Sequence, residues 1–258
     1  MQTRSLLFSM SGRLLLGLLC LSLWAAPTYA EQANEETLIV ADGQAAAEIV
    51  IAEDARRSTR FAARELQTHL KKISGAQLPI VSEPSDDVPV KLYVGVSEHT
   101  KQLGVTDQGL ADDGSYRLVS GDNWLAMIGV DEDFVPIEPY GKSINHWRDG
   151  PPQQEWDDMT DAHWFNRLGM TMTQNYNEEI DLWRFDKTGS ANAVYDFLRS
   201  LGVRWYSIGD LGTIIPDKAT IDLPDVDRTS RPNVRRRKFG FDRYQKSAEK
   251  ELWTRRLG

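Results

Sequence analysis

Two periodicities sit side by side in this chain, and together they limit its class. Across residues 58–75 the apolar side chains Ala62, Ala63, Leu66, Leu70 and Ile73 recur at three- and four-residue spacing, while Arg60, Arg64, Glu65, Lys71 and Lys72 take the other face. That pattern predicts an amphipathic helix. Gly75 is placed to end it in a left-handed cap, and Pro79 confirms the stop. Across residues 89–96 the period drops to two, with Val90, Leu92, Val94 and Val96 on one side, which predicts a strand with one buried face and antiparallel neighbours.

Further strands are expected at residues 37–40 and 47–52, around an Asp42-Gly43 turn, and at 114–120 and 124–129, joined through Gly121-Asp122-Asn123 as a hairpin. A second helix runs from Gly189 through Ala193, Val194, Phe197, Leu198 and Leu201 to a Gly202 cap, and feeds the strand Val203-Arg204-Trp205-Tyr206. On such a strand successive side chains alternate, so one of Trp205 and Tyr206 belongs in the core and the other faces outward. Strands and helices in this order predict an α+β fold, an α/β sandwich with a mixed β-sheet and helices packed on one face.

The first thirty residues stand apart. Arg4 and Arg13 precede an apolar run over residues 14–24, followed by Ala25-Ala26-Pro27-Thr28-Tyr29-Ala30, the layout of a signal peptide cleaved after Ala30. A membrane anchor needs ~20 consecutive apolar residues, and the run stops short of that. The expected location is therefore secreted or periplasmic, with no stable membrane anchor after cleavage. Cys20, the one cysteine, leaves with the leader, so thiol nucleophiles, redox chemistry and Cys-ligated metal are not expected.

Charge divides the remainder. Residues 31–227 carry 17 basic and 35 acidic side chains, and residues 228–258 carry 11 basic and 3 acidic. A sign change at a Pro-containing junction suggests two structural units. The basic end is too apolar for a solvated nucleic-acid arm, because Phe239, Phe241, Tyr244, Leu252 and Trp253 are interleaved in it, and it reads as a strand and helix lacking their partners.

Residues 131–187 form a long insertion with Pro136, Pro139, Pro151 and Pro152, four tryptophans (Trp147, Trp156, Trp164, Trp183) and two histidines. A loop of this length is usually functional, although its aromatic residues could equally pack on one another. Trp147, Trp156, Trp164 and Trp205 are the candidate platforms for stacking on sugar rings, with Tyr140 and Tyr176 as further possibilities. His69, His99, His146 and His163 are never three or four apart, so no helix presents two imidazoles to one zinc. His146 and His163 share the insertion with Asp149, Asp157, Asp158 and Asp161, a spacing too open to read as a metal site. There is no Gly-rich phosphate loop and no Gly-x-Ser-x-Gly elbow. A glycosidase pair of carboxylates stays open, since so many acidic residues can satisfy its spacing by chance. No cofactor, metal or nucleic-acid partner is expected.

The helix ending Arg64-Glu65-Leu66-Gln67-Thr68-His69-Leu70-Lys71-Lys72-Ile73-Ser74-Gly75, with Leu78-Pro79-Ile80-Val81 after it, resembles the non-catalytic N-terminal domain ahead of the barrel in glycoside hydrolase family 67 α-glucuronidases and family 20 β-N-acetylhexosaminidases. A second match is stronger: Gly189-Ser190-Ala191-Asn192-Ala193-Val194-Tyr195-Asp196-Phe197-Leu198, then Leu201-Gly202-Val203-Arg204-Trp205-Tyr206 and Gly209-Asp210-Leu211-Gly212-Thr213-Ile214-Ile215-Pro216, is similar to the helix, strand and proline exit that close this domain. The resemblance covers residues 37–227 and runs into 232–237, where such proteins begin their catalytic barrel. It implies a barrel as partner, with the catalytic carboxylates on barrel strands, so no catalytic residue carries over. A (β/α) barrel needs ~250 residues, and only the start of one fits in 228–258, as in a truncated or split product. The long insertion departs from the shortest family members and looks like a feature of larger secreted bacterial relatives.

Three readings follow. The leading one is an accessory domain of a secreted carbohydrate-active enzyme, with polysaccharide or oligosaccharide in its surroundings; it expects Phe239, Phe241 and Trp253 to be exposed or poorly packed. The second is a stand-alone carbohydrate- or partner-binding module using the insertion aromatics. The third is an enzyme in its own right, a metal-dependent hydrolase around His146 and His163.

Overall fold

The computed structural model describes residues 37–111, 114–135, 158–159, 176–231 and 247–257. In chain order the elements are β1 (Leu38–Ala41), β2 (Gln44–Ala45), β3 (Ala47–Val50), α1 (Arg57–Ser74), β4 (Ile80–Val81), β5 (Val90–Val94), α2 (Glu98–Gln102), β6 (Tyr116–Gly121) and β7 (Trp124–Gly129). Then follow β8 (Asp131–Glu132), β9 (Tyr176–Asn177), β10 (Leu182–Trp183), β11 (Lys187–Thr188), α3 (Gly189–Leu201), β12 (Arg204–Trp205), β13 (Thr213–Ile214), β14 (Ile221–Asp222), β15 (Asp227–Ser230) and α4 (Ser247–Arg256).

The core is a six-stranded sheet in the order β15-β6-β7-β5-β3-β4. Its centre is parallel, β5 pairing in parallel with both β3 and β7 and β3 with β4, while β6 and β15 extend it antiparallel. The fold is therefore α+β with a mixed sheet. The expectation that the neighbours of β5 run antiparallel is corrected: α1 carries the chain back from β3 to β4, and the passage through α2 and β6 brings β7 in alongside β5 in the same direction. The hairpin β6–β7 is antiparallel through Gly121 and Trp124. Asp42 and Gly43 make a tight turn with φ of 47° and 78°, but its second arm is β2. Strand β3 leaves that small sheet for the large one.

Alternation along the strands assigns the two faces. Ile49, Leu92, Val94, Leu118, Leu125 and Met127 point to one side, where they pack with Phe61, Leu66, Leu70 and Ile73 of α1 and Val194, Phe197 and Leu198 of α3. The two long helices thus share a face. Leu66 and Leu70 are fully buried, and each contributes about 2 kcal/mol of transfer free energy. The other face carries Val50, Tyr93, Val119, Ala126 and Ile128, met by Val105 from the turn after α2. On adjacent strands there, Lys91 pairs with Glu48 at 2.8 Å, and Glu48 also accepts from the Ser85 N–H. Glycines close both long helices in the left-handed conformation, Gly75 at φ 81° and Gly202 at φ 112°. Among the described residues no helix is long and apolar enough to cross a membrane.

Helix α4 corrects a second expectation. Its Trp253 is only 8% exposed and belongs to the same cluster as α1 and α3, so this helix is not left without a partner. Phe239 and Phe241 lie outside the described residues. The change of charge near Asp227 falls within β15, a strand of the main sheet.

Candidate functional site

Parallel strands with crossovers leave a crevice at their carboxyl ends wherever two neighbours lead away in opposite directions. That condition is met between β3 and β5. Strand β3 exits through α1 toward β4 on one side, and β5 exits through α2 toward β7 on the other. Outside their ends opens a cleft of about 660 Å³, lined by Ala52, Asp54, Ala55, Arg56, Thr59 and Arg60 after β3, Val96 and Asp107 after β5, and Gly129, Asp131 and Asp133 at the end of β7.

The helices that begin here bring no caps of their own. Neither Arg56 before α1 nor Thr188 before α3 makes a side-chain cap bond. The orphaned N–H groups are met instead from the segment after β7. Asp133 accepts from the Arg57 and Ser58 N–H groups at 3.2 and 3.5 Å, and Asp131 accepts from the Ser190 N–H at 3.1 Å and from Thr59 Oγ1 at 3.0 Å. Two carboxylates therefore sit at the positive ends of two helices, each tying a helix to the sheet edge. Burial pushes the Asp131 carboxyl up to about 6, against the opposing pull of its bonds from Ser190 and Thr59.

Close backbone approach makes this junction possible. A Cβ on Gly129 would lie 2.1 Å from the carbonyl carbon of Gly189, so α3 starts in direct contact with the end of β7. Gly95, at φ +75°, leaves room for Thr59, whose Cγ2 would lie 2.6 Å from a Cβ there. Beside the cleft, Arg57 holds Asp186 with two bonds, at 3.0 and 2.8 Å, and Asp186 also accepts from the N–H groups of Phe134 and Trp183. Hydrogen bonding to Asp186 raises the Arg57 guanidinium further. This staple joins α1 to both flanks of the insertion, whose base is closed by the β8–β11 ladder.

A second polar cluster lies under α4. Arg256 grips Glu65 of α1 with Nε and Nη2, at 2.8 and 3.0 Å, and Tyr195 of α3 donates to the same carboxylate at 3.2 Å. Burial opposes ionisation of Glu65, yet the bonds and charge of Arg256 overcome it and hold the carboxyl below its ordinary range. His69, one turn along, donates from Nδ1 to the Glu65 carbonyl at 2.8 Å, and burial holds its imidazole below the usual range. Arg255 reaches the Trp183 carbonyl at 2.8 Å, and Arg199 of α3 donates to the Arg256 carbonyl.

Of the candidate stacking residues, Trp147, Trp156 and Trp164 lie outside the described residues, as do His146, His163 and Tyr140. Trp205 is buried at 4% exposure, with His69 and Tyr195 edge-on at 5.4 and 5.5 Å. That placement removes it as a sugar platform: a ring enclosed by core side chains offers no face. The alternation on its strand holds, and the outward ring is Tyr206, 72% exposed. Tyr176 is partly covered, donating to Asp181 at 2.7 Å and tilted against Trp183. Among the described residues no group of three or more His, Asp or Glu is arranged to hold a metal ion. No residue of the cleft was singled out from sequence. The available signal was the Asp-Glu-Asp run of residues 131–133 shortly after a strand.

No family model matches the chain, and no curated protein matches it either.

Proposed function

We propose that this chain is a non-catalytic accessory domain of a secreted carbohydrate-active enzyme, of α-glucuronidase or hexosaminidase type, which supports a catalytic barrel lying outside these 258 residues. Its first thirty residues serve as an export leader. The observation that carries the reading is the α+β body itself, a mixed sheet with both long helices on one face, closed by α3, β12 and the exit at Pro216; the burial of Trp253 departs from what the reading expected of this end. A strongly acidic body receives the following basic segment on its helical face, burying Trp253 and pairing Arg256 with Glu65. Arg228 likewise meets Asp196 of α3. The closing helix, strand and proline exit over residues 189–216 support the same reading through their resemblance to the family domain.

The test is turnover. Purified protein incubated with nitrophenyl α-glucuronide and β-N-acetylglucosaminide, and with xylan and chitin fragments, is expected to release no product above buffer. Release that disappears in Asp131→Asn would make the cleft an active site and overturn the accessory role.

A further inference from the structure

The cleft at the carboxyl ends of β3, β5 and β7 has a volume within the ~300–1,000 Å³ typical of small-molecule sites, and the accessory role leaves it unused. Its lining decides what chemistry it could hold. Asp54, Asp107, Asp131 and Asp133 face it together with Arg56 and Arg60, so acceptors and donors alternate around the wall, with Ala52, Ala55, Val96 and Gly129 as its apolar part.

Anions are disfavoured here. The helix N-termini that would attract a phosphate are already occupied by Asp131 and Asp133, and over the whole lining four carboxyl groups face two guanidinium groups. Divalent metal has no donor set among the described residues. A simple organic cation would satisfy the carboxylates and leave the guanidinium of Arg56 facing it, with no side-chain hydrogen bond or ion pair among the described residues. Hydroxyl groups answer both, since each donates one bond and accepts others. We propose that the cleft is a binding site for an uncharged, hydroxyl-rich small molecule of mono- or disaccharide size. In it Arg56 and Arg60 donate to the hydroxyl oxygens, Asp54 and Asp107 accept from the hydroxyl protons, and the small apolar residues meet C–H faces. The proposal is independent of the accessory reading, because a site of this kind can hold a sugar with no bond broken.

The experiment is a titration of the isotope-labelled chain, followed by amide NMR shifts. The probes are glucose, xylose, galactose, N-acetylglucosamine, cellobiose and xylobiose, with inorganic phosphate and putrescine as the charged alternatives. A saturable shift confined to residues 52–60, 95–97, 105–108 and 129–133 is expected for at least one sugar. Arg56→Ala and Asp107→Ala should each weaken that binding about tenfold, the loss expected for a hydrogen bond to a charged group. Neither side chain caps a helix or makes a side-chain hydrogen bond among the described residues, so both variants should keep the fold. No shift with any of the six sugars would overturn the proposal. So would tighter binding of phosphate or putrescine at these residues, or sugar binding that both substitutions leave unchanged.

Discussion

Asp131 shows how one side chain can be both necessary and costly. It caps α3 and holds Thr59 of α1, yet burial raises its pKa from 3.8 to about 6, so the folded protein favours the protonated form more than the unfolded chain does. The stability this contributes is complete below pH ~4 and is lost as pH rises through the folded value, amounting to about 3 kcal/mol at most. Asn at this position cannot titrate. Urea midpoints of the protein and of Asp131→Asn, compared from pH 4 to pH 7, should therefore show the unsubstituted chain losing ground to the variant as pH rises. A difference that stays constant across that range would contradict the placement of this carboxyl. Glu65 and His69 act in the opposite sense, both losing stabilisation on acidification, but they titrate in both proteins and cancel in the comparison.

Among the elements, those specified by local sequence were legible and those specified by distant partners were not. Helices α1 and α3 could be read to within a residue or so, because their apolar stripes end at glycines that accept a left-handed cap. The β6–β7 hairpin followed from its turn residues. Strand direction was not legible: a period of two says which face of β5 is buried and nothing about which way its neighbours run. The cleft was missed for a related reason, since Asp131 and Asp133 cap helices whose partner atoms lie up to 76 positions away. Helix α4 is the extreme case, with no clear apolar stripe and a key ion pair spanning 191 positions. It supplies a prediction at this scale. Arg256→Ala strips Glu65 of its cation in a buried site and should lower unfolding stability at pH 7 by about 3 kcal/mol. Adding Glu65→Gln to it should recover part of that loss. If the double substitution is no better than the single one, the pair does not hold α4 to α1.

For the whole molecule, the division of charge takes on a structural meaning. The acidic body and the basic segment were expected to be separate units, the latter packing poorly by itself. Instead Arg228, Arg255 and Arg256 meet Asp196, the Trp183 carbonyl and Glu65, and Trp253 enters the core formed by α1, α3 and the sheet. Helix α4 is thus part of the folded body, held to it by Trp253 and the Glu65–Arg256 pair. The most direct test is heat unfolding, followed by near-UV circular dichroism, of the chain and of a version ending at Arg231 that keeps β15 but lacks α4. Loss of the buried Trp253 and the Glu65–Arg256 pair should lower the midpoint by about 10 °C, with reduced aromatic signal in the folded baseline. Two proteins that melt together with the same amplitude would show that α4 adds nothing to the fold, and would contradict the account.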